Sequence, residues 1–471
     1  MVAPTEPNGP NVLLVVLDTA RADAVGTTRD SAFSQLARRG RRFHRAVAPA
    51  PWTLPSHGSI FSGLRPSEHG ITGDAVLTPE GLRTPKPRVE ALADRWLPET
   101  LRRKGYETFA ATGNPWVGPA VGLTMGFDHV VEAWREAPLP KLTDPLAGSR
   151  SSSKVRAASI YARRAFGLGD GGAASSLDAF RAFLRERGGR SFFGFFNVME
   201  PHAPYAPPHG HGNVRLHRRP AAMAAVRRWN ADRMLRYCLG REEIGDGELA
   251  LLWALYRGEV SYTEAWLGRC LEILDDRGLL DDTLVIVTAD HGENLGEHHL
   301  LSHVMSMHET LLHVPLAIAG PEVPLGEEHD PIGLTAIPSI VGSVVDGRWT
   351  DPASRAVVAE YESASAQVSG AKRLDEQGAG LSEDQMEQLR ARWTAAYEGR
   401  FKLVSSTAGE EALRDLVADP AEERDVAAEH PEVVERLRSV ASSSRRPTVE
   451  GELAPELDAE ITSHLEGLGY L

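Results

Sequence analysis

The sequence predicts an α/β fold in which a largely parallel central sheet is flanked by helices and followed by a smaller C-terminal α+β subdomain. Three observations support this prediction. Several short runs are almost wholly apolar, helical stretches lie between them, and the 471 residues have an ordinary globular composition, with 42% hydrophobic and 25% charged residues. Unbroken apolar runs are typical of strands covered on both faces, and their alternation with helices indicates an α/β architecture.

Strands and helices alternate along most of the chain. The apolar runs predict strands at 11–18, 191–198, 283–290 and 314–320. Helical periodicity predicts helices at 95–105 and 176–188, and a long helix over 246–278.

Two domains are predicted from these elements. Residues 1–347 form the larger α/β domain, and a basic, Ser/Gly/Ala-rich stretch at 141–176 is interpreted as a flexible insertion in it. Residues 348–471 form the C-terminal subdomain, with a small antiparallel sheet and terminal helices. Within this subdomain we expect a helix near 382–398 and a strand at 400–406.

Charge and cysteine content exclude several classes of protein. The chain has 51 Lys and Arg against 65 Asp and Glu, a net charge of −14, which disfavours nucleic acid as a partner. Cys238 and Cys270 are too few for a disulfide framework or a thiolate zinc site, and they fit a reducing compartment. No signal-peptide pattern and no long apolar run is visible. We therefore expect a cytoplasmic protein with no membrane partner.

Acidic residues follow two of the predicted strands. Asp18 ends the first strand, and Asp290 ends the third, with His291 beside it. Because the carboxyl ends of parallel strands meet at one edge of a sheet, we expect these side chains to converge. Two carboxylates and an imidazole are a common set of metal ligands. The alternative is that each aspartate only caps a following helix.

A second candidate site surrounds Thr53. A proline two residues after this threonine, followed by a short helical stretch, places the Thr53 hydroxyl at a helix N-terminus. Unpaired N–H groups and the helix dipole favour an anion there. The alternative is that Thr53 serves only as the N-cap of the helix.

Histidines are concentrated after the third predicted strand. Six of the 17 fall between positions 291 and 313, namely His291, His298, His299, His303, His308 and His313. Such a density indicates a site, although not all six can be ligands. His202 lies in a proline-rich loop after another predicted strand and is a weak signal by itself.

In chain order, these segments resemble the sulfatase family of the alkaline phosphatase superfamily over nearly the whole chain. The matching segments include NVLLVVLDTARAD, PWTLPSHGSIFSGLRPSEHG, GYETFAATGNPWVG, EPHAPYAPP and TLVIVTADHGENLGEHH. The resemblance implies an alkaline-phosphatase-like fold and a nucleophile at Thr53. It further implies metal ligands and substrate-contacting groups, namely Asp18, Asp290 and His291 for the metal and Asn114, His202 and His303 for the substrate.

The nucleophile segment departs from the family pattern. Sulfatases of this family usually carry C-x-P-x-R or S-x-P-x-R, whose first residue is oxidised to formylglycine, whereas this chain reads TLPSH from Thr53. Threonine cannot become formylglycine, so no such group is expected. His57 replaces the usual arginine and is assigned to substrate binding close to the nucleophile or metal. Thr19 replaces an acidic ligand, and Asn114 replaces a lysine.

These departures favour a particular chemistry. A shell of Asp18, Asp290, neutral His291 and the Thr53 oxygen mixes carboxylate with imidazole, which suits zinc or manganese better than calcium or magnesium. A metal-activated threonine resembles the nucleophile of the superfamily's phosphodiesterases and phosphonate monoester hydrolases. We therefore predict a hydrolase of phosphate or phosphonate esters that forms a covalent Thr53 intermediate.

Roles for the other site residues follow from this prediction. Asn114 is expected to contact a phosphoryl oxygen, and His202 or His303 to protonate the leaving group. Three alternatives stay open: a phosphoryl transferase to an alcohol, a formylglycine-independent sulfatase, and a non-catalytic binding protein. The expected partner is a small anionic ester, and the pattern specifies neither its identity nor the oligomeric state.

Overall fold

The computed structural model describes residues 9–72, 77–78, 81–82, 86–135, 169–212, 231–303, 305–352, 357–362, 371–372, 374–376, 378, 380–442 and 461. Most of the stretch predicted to be a flexible insertion, 141–176, lies outside these residues, so that prediction stays open. None of the helices in the described ranges is both long enough and apolar enough to cross a membrane.

The strands are numbered in chain order. They are β1 (Asn11–Leu17), β2 (Gly40–Val47), β3 (Leu77–Thr78), β4 (Gly81–Leu82), β5 (Glu107–Thr112), β6 (His129–Glu132), β7 (Phe192–Val198), β8 (Thr283–Thr288), β9 (Asn294–Leu295), β10 (Leu301–Ser302), β11 (His313–Ala319), β12 (Gly326–Glu328), β13 (Ile332–Gly333), β14 (Val357–Tyr361), β15 (Trp393–Glu398), β16 (Phe401–Ser406) and β17 (Glu411–Asp415).

The α-helices are numbered in the same way. They are α1 (Ala32–Arg38), α2 (Thr53–Ser62), α3 (Pro66–His69), α4 (Lys86–Ala91), α5 (Leu97–Arg103), α6 (Ala173–Glu186), α7 (Ala231–Cys238), α8 (Asp246–Asp275), α9 (Glu309–Leu312), α10 (Ile337–Val345), α11 (Glu383–Arg390) and α12 (Pro431–Ser442).

A central sheet in the order β12-β2-β11-β8-β1-β7-β5-β6 confirms the prediction of a largely parallel sheet. Strands β8, β1, β7, β5 and β6 run parallel to one another. Strand β11 is the exception, because it runs antiparallel to both β8 and β2. Its apolar run reflects burial on both faces, which an antiparallel strand in the middle of a covered sheet shares with a parallel one.

Helices cover both faces of the central sheet. On β7, the ring centroid of Phe195 lies 4.9 Å from that of Phe61 in α2, and the ring of the next residue, Phe196, lies 5.1 Å from Trp266 in α8. Successive side chains of a strand point to opposite faces, so α2 and α8 lie on opposite sides. Helices α3, α5 and α10 pack beside α2, whereas α1 and α6 pack beside α8.

A second, antiparallel sheet of β14-β15-β16-β17 forms the C-terminal part of the fold, as predicted. The prediction of one helix over 382–398 is wrong: α11 ends at Arg390, and Trp393–Glu398 form β15. Strand β15 owes its conformation to pairing with β14 and β16, which the local sequence pattern does not report.

A buried lysine connects the C-terminal sheet to helix α9. Lys402 of β16 is fully buried, and its Nζ lies 3.0 Å from Glu309 in α9 and 2.7 Å from Glu422. The hydroxyl of Tyr397 also donates to Glu309, at 2.8 Å. Two carboxylates therefore neutralise one buried cation at this junction, while the exact domain boundary at 347/348 stays a prediction.

Candidate active site

The predicted site residues follow strands whose carboxyl ends meet at one edge of the central sheet. Asp18 follows β1, Asn114 follows β5, and Asp290 with His291 follows β8. Strand β2 runs in the same direction as β8, because β11 is antiparallel to both, and the chain after β2 reaches Thr53 at the start of α2. Topology therefore brings all of these side chains to one place.

Asp18, Asp290 and His291 form the cluster that the sequence predicted. One ligand atom from each lies within 4.8 Å of the other two, and all three side chains are fully buried. Nε2 of His291 lies 3.5 Å from Oδ2 of Asp290 and 4.0 Å from Oδ1 of Asp18.

Hydrogen bonds orient both carboxylates and occupy one oxygen of each. Oδ2 of Asp18 accepts from the side-chain amides of Asn114, at 3.1 Å, and Asn197, at 3.0 Å. Oδ1 of Asp290 accepts from the backbone N–H groups of Thr19, at 3.3 Å, and His291, at 3.0 Å. Oδ1 of Asp18 and Oδ2 of Asp290 accept no hydrogen bond from any described residue.

Two buried carboxylates side by side carry a high electrostatic cost. Burial, with a further contribution from Asp18, raises the pKa of Asp290 well above its usual range. A divalent cation bound by the two unpartnered oxygens and by His291 would offset this cost, and mixed carboxylate and imidazole donors are typical of such sites. The residues present therefore fit the divalent metal that sulfatase-like proteins usually bind, and the identity of the metal stays a prediction.

The ring of His291 is oriented so that the lone pair of Nε2 points toward Asp18, Asp290 and Thr53. Its Nδ1 lies 2.8 Å from the carbonyl oxygen of Gly292, so Nδ1 carries the proton and Nε2 is the acceptor. Burial, and then the neighbouring His303, lower the pKa of His291 well below its usual range. Neutral imidazole is the form that binds a metal.

Thr53 is the first residue of α2, and its side chain faces the cluster. Oγ1 lies 3.3 Å from Nε2 of His291 and 3.4 Å from Nδ2 of Asn114. Trp52 holds the N-cap position and makes no side-chain capping bond, so Thr53 is not the N-cap that the alternative interpretation required. The Thr53 hydroxyl is thus fully buried beside a histidine, an amide and two carboxylates.

His57 lies one helical turn after Thr53 along α2, beside Asp290. Its Nδ1 lies 2.9 Å from the carbonyl oxygen of Thr53 and 3.5 Å from Oδ2 of Asp290. Burial lowers the pKa of His57, which favours the neutral ring. These contacts suit a residue that orients Asp290 and the start of α2, and the predicted substrate contact of His57 stays a prediction.

His202 and His303 stand beside His291, where the sequence predicted proton donors. The ring centroid of His303 lies 4.7 Å from that of His291 and 5.1 Å from that of His202. Nδ1 of His303 lies 3.3 Å from Oε1 of Glu293, and Nδ1 of His202 lies 2.6 Å from the carbonyl oxygen of Ala203. Burial lowers the pKa of His202, so its ring is neutral near pH 7.

Two further site residues were not singled out from the sequence. Asn197 interrupts the apolar run of β7, a polar residue in a strand that is otherwise covered on both faces, and this interruption was an available signal. Glu293 follows the Asp-His-Gly segment and is fully buried, and its second oxygen accepts from Tyr205 at 3.1 Å. Its contact with His303 depends on the β9–β10 hairpin and was not readable from local sequence.

The remaining histidines of the dense 291–313 segment have other surroundings. His298 stacks on His308 with ring centroids 3.8 Å apart, and His299 stacks on Tyr237 at 3.9 Å. Nε2 of His313 lies 2.7 Å from the carbonyl oxygen of His44. Only His291 and His303 of the six therefore belong to the cluster around Thr53, within the described residues.

A family model described as Sulfatase matches residues 10–337. The chain is 31% identical over 159 residues to the multifunctional alkaline phosphatase superfamily protein PehA of Trinickia caryophylli, covering 29% of this chain and 30% of PehA. It is 32% identical over 173 residues to the choline-sulfatase of Rhizobium meliloti strain 1021, covering 36% of this chain and 31% of that enzyme. The matches thus span less than a third of either relative.

Likeness in three dimensions extends further along the chain. The phosphonate monoester hydrolase of Agrobacterium radiobacter superposes with a TM-score of 0.58 at 18% identity, covering 93% of this chain and 97% of that one. At this identity the superposition demonstrates a shared fold. It confirms the predicted architecture of a large α/β part with a smaller C-terminal antiparallel sheet.

Proposed function

This chain belongs to the sulfatase family, and on that premise we propose that it is a metal-dependent hydrolase of phosphate or phosphonate esters with Thr53 as its covalent nucleophile. The premise follows from the family match over residues 10–337. The choice of nucleophile and of ester depends on the residues of the site.

The observation that carries the proposal is the position of the Thr53 hydroxyl. Its oxygen lies 3.3 Å from Nε2 of His291, inside a cluster that also holds the unpartnered oxygens of Asp18 and Asp290. Neither Cys238 nor Cys270 lies in the nucleophile segment, and threonine cannot be converted to formylglycine. A direct hydroxyl nucleophile is consistent with both facts, whereas the aldehyde chemistry of ordinary sulfatases is not.

Asp18, Asp290 and His291 would hold the divalent cation, with Thr53 beside them. When bound there, the cation would supply positive charge that lowers the pKa of a nearby hydroxyl and offsets charge on the ester oxygens. Asn197 and Asn114 keep the Asp18 carboxylate in place through their amides. Without such partners, a buried carboxylate takes other rotamers or a proton.

Before the first turnover the Thr53 hydroxyl loses its proton to solvent. In the first half of the reaction, Oγ1 of Thr53 then attacks as the alkoxide and forms a bond to phosphorus while the bond between phosphorus and the leaving ester oxygen breaks. Nδ2 of Asn114, 3.4 Å from Oγ1, is placed to donate to a nonbridging oxygen next to the attacked phosphorus. His303 gives its proton to the leaving oxygen. We favour His303 over His202 for this step because Nδ1 of His303 lies 3.3 Å from Oε1 of Glu293, a carboxylate that can orient the ring, whereas Nδ1 of His202 lies 2.6 Å from the carbonyl oxygen of Ala203.

In the second half, water attacks the phosphorus and gives a proton back to His303, and the Thr53 alkoxide is released. Protons and charge balance over the cycle, since His303 loses one proton and regains one. An alcohol in place of water at this step would make the enzyme a transferase. The buried surroundings of Thr53 favour a small acceptor, and water is the smallest.

We propose phosphorus esters over sulfate esters because ordinary sulfatases act through formylglycine, which Thr53 cannot form. The shared fold with a phosphonate monoester hydrolase supports this choice. The likeness to a choline-sulfatase supports a sulfate ester as the second candidate, acting through the same Thr53 attack.

A substrate panel tests the proposal. Metal-stripped protein is assayed with added zinc or manganese on four aryl substrates that share one leaving group: a phosphodiester, a phosphomonoester, a phosphonate monoester and a sulfate ester. We expect kcat/KM for at least one phosphorus ester to exceed that for the sulfate ester by about tenfold or more, roughly 1.4 kcal/mol of barrier. A sulfate ester that reacts fastest would contradict the choice of phosphorus and leave the Thr53 nucleophile to be tested separately.

A further inference from the structure

A second group of side chains that could bind a metal lies on two strands at one edge of the central sheet. It is separate from the Thr53 cluster, the name used here for Thr53, Asp18, Asp290 and His291. His44 belongs to β2, Glu327 belongs to the edge strand β12, and His329 follows β12 directly. The side chains are 30%, 64% and 72% exposed, in that order, so Glu327 and His329 are open to solution, whereas Nε2 of His44 is buried and makes no hydrogen bond to any described residue.

Strand pairing explains why the three side chains meet. β12 is parallel to β2 with Glu327 opposite Arg42 and Glu328 opposite Phe43, and the register continued by one residue sets His329 beside His44. Glu327 and His329 are two residues apart, so they project to the same face of the strand. The two imidazole rings are stacked almost parallel, with centroids 4.4 Å apart and planes 5° apart.

The donor atoms are close enough for one small ion. Oε2 of Glu327 lies 3.2 Å from Nε2 of His44 and 4.0 Å from Nε2 of His329, and all three donor atoms lie within 4.8 Å of one another. Zinc–nitrogen and zinc–carboxylate bonds are about 2.0–2.2 Å, which places neighbouring donors about 3–3.5 Å apart. Because the lone pair of an imidazole nitrogen lies in the ring plane, the two stacked rings must also tilt toward a shared ion to bind it, a rearrangement that the exposure of His329 and Glu327 permits.

The neighbouring charges leave Glu327 available for this role. Glu328, the adjacent carboxylate, is paired with Arg41 at 2.8 Å. Arg42 lies over the ring of Phe33, with its guanidinium carbon 5.8 Å from the ring centroid.

We propose that His44, Glu327 and His329 form a second metal site, which binds a borderline divalent cation such as zinc with two imidazoles, one carboxylate and water. Two histidines and one carboxylate are a known zinc ligand set, with the open position occupied by solvent. The bound ion links the edge strand β12 to β2, the strand from which the chain runs on to Thr53. The site does not depend on the proposed function.

Zinc binding to the full-length chain tests this proposal. Protein stripped with a chelator is titrated with zinc, and bound metal is measured by equilibrium dialysis and elemental analysis. The experiment is run in an Asp290→Asn background, so that ions at the Thr53 cluster do not obscure the count. The test variants are His329→Ala and Glu327→Gln. The control is His129→Ala, a 53% exposed histidine on β6 at the opposite edge of the same sheet.

We expect one zinc ion per chain in the background protein and in the His129→Ala control. Loss of one ligand should weaken zinc binding by about a hundredfold or more in each test variant, since losing a residue that only orients a ligand already costs about tenfold to a hundredfold. Zinc should also raise Tm in the control more than in His329→Ala, because only the control retains all three ligands. Equal affinity and equal Tm shifts in all four proteins would overturn the proposal. Circular dichroism of the metal-free proteins confirms that each variant is folded.

Discussion

Oγ1 of Thr53 lies 3.3 Å from Nε2 of His291, and both atoms are buried at the carboxyl ends of parallel strands. The hydrogen bond between Nδ1 of His291 and the carbonyl oxygen of Gly292 fixes which ring nitrogen faces Thr53. The Thr53 hydroxyl at the start of α2 and the His291 imidazole after β8 are therefore in contact. The proposed nucleophile and the proposed metal ligand are placed to act on the same ester.

Replacing Thr53 by alanine should reduce kcat by about 10⁴-fold to 10⁶-fold, the range seen when a nucleophile is removed. Metal binding should persist, because Asp18, Asp290 and His291 are untouched. Steady-state kinetics on the best substrate and metal analysis of the variant measure both effects. Thr53→Ser is the matched control, since it retains a hydroxyl, and it should keep far more activity than the alanine variant. Activity of Thr53→Ala within about tenfold of the wild type would rule out the assigned role.

Replacing His303 by alanine should slow the hydrolysis of esters with poor leaving groups more than those with good ones. An alkoxide needs a proton as it leaves, whereas nitrophenolate does not. The effect is measured with a series of esters whose leaving groups differ in pKa. The rate should fall more steeply with leaving-group pKa in the variant than in the wild type. The control is Glu293→Gln, which keeps the side-chain shape 3.3 Å from Nδ1 of His303 and should cause a smaller loss of the same kind. An equal loss for all leaving groups would leave His303 with a binding role only.

Replacing Asn197 by leucine should weaken metal binding by about tenfold to a hundredfold, the usual effect of losing a residue that orients a ligand. Its amide donates to Oδ2 of Asp18 at 3.0 Å, and leucine has a similar size but no donor. Competition with a chromophoric chelator measures the affinity. Asn197→Asp changes the charge at the same contact, because it places a third carboxylate next to Asp18. Unchanged affinity in the leucine variant would show that Asn114 alone suffices to hold Asp18.

Removal of divalent metal should lower both activity and stability. In the metal-free protein, Oδ1 of Asp18 and Oδ2 of Asp290 accept no hydrogen bond from any described residue, and no cation offsets the burial of the two carboxyl groups. Zinc or manganese at a hundred times Kd should raise the free energy of unfolding by about 2.7 kcal/mol. Thermal unfolding with and without chelator measures this in the His329→Ala variant, in which the proposed site of His44, Glu327 and His329 has lost one ligand. A Tm unaffected by metal would argue against an ion in the Thr53 cluster.

The ion pair between Lys402 and Glu422 should make the free energy of unfolding depend on pH. Burial opposes ionisation of Glu422, but the Lys402 ammonium 2.7 Å away and His308 at 3.4 Å together outweigh it and hold the pKa of Glu422 well below its usual range. Its contribution is therefore complete above about pH 4.3, the value for an unfolded chain, and declines as pH falls through the lower folded pKa.

Urea unfolding between about pH 3 and 6 measures this dependence. The free energy of unfolding should decline with falling pH less steeply in Glu422→Gln than in the wild type, because glutamine does not titrate. Glu429→Gln removes a carboxylate that is 52% exposed and should leave the slope unchanged. Parallel slopes for wild type and Glu422→Gln would contradict the assignment.

The sequence was sufficient to predict the sheet and the convergence of Asp18, Asp290 and His291. Unbroken apolar runs predicted β1, β7, β8 and β11, because burial on both faces leaves no polar alternation. Asp18, Asp290 and His291 were predictable because residues following parallel strands meet at one sheet edge. The direction of β11 was not predictable, since burial is the same for either direction.

Other features depend on contacts between distant segments. Strand β15 has the sequence WTAAYE, which mixes strand-favouring Trp, Thr and Tyr with alanines and a glutamate, and its pairing with β14 and β16 decides its conformation. Asn197 reaches Asp18 because β7 lies next to β1, a neighbour relation that spacing along the chain does not specify. The contact of Glu293 with His303 depends on a hairpin made of two very short strands.

The most direct test of the central claim is capture of the covalent intermediate. Metal-loaded enzyme is mixed with a phosphodiester bearing a good leaving group, quenched in acid within one turnover, and digested for mass spectrometry. We predict a phosphorus-containing group attached to Thr53 in the wild type, formed and lost at rates compatible with kcat. A fully active enzyme whose Thr53 peptide stays unmodified at every quench time would contradict covalent catalysis by this residue.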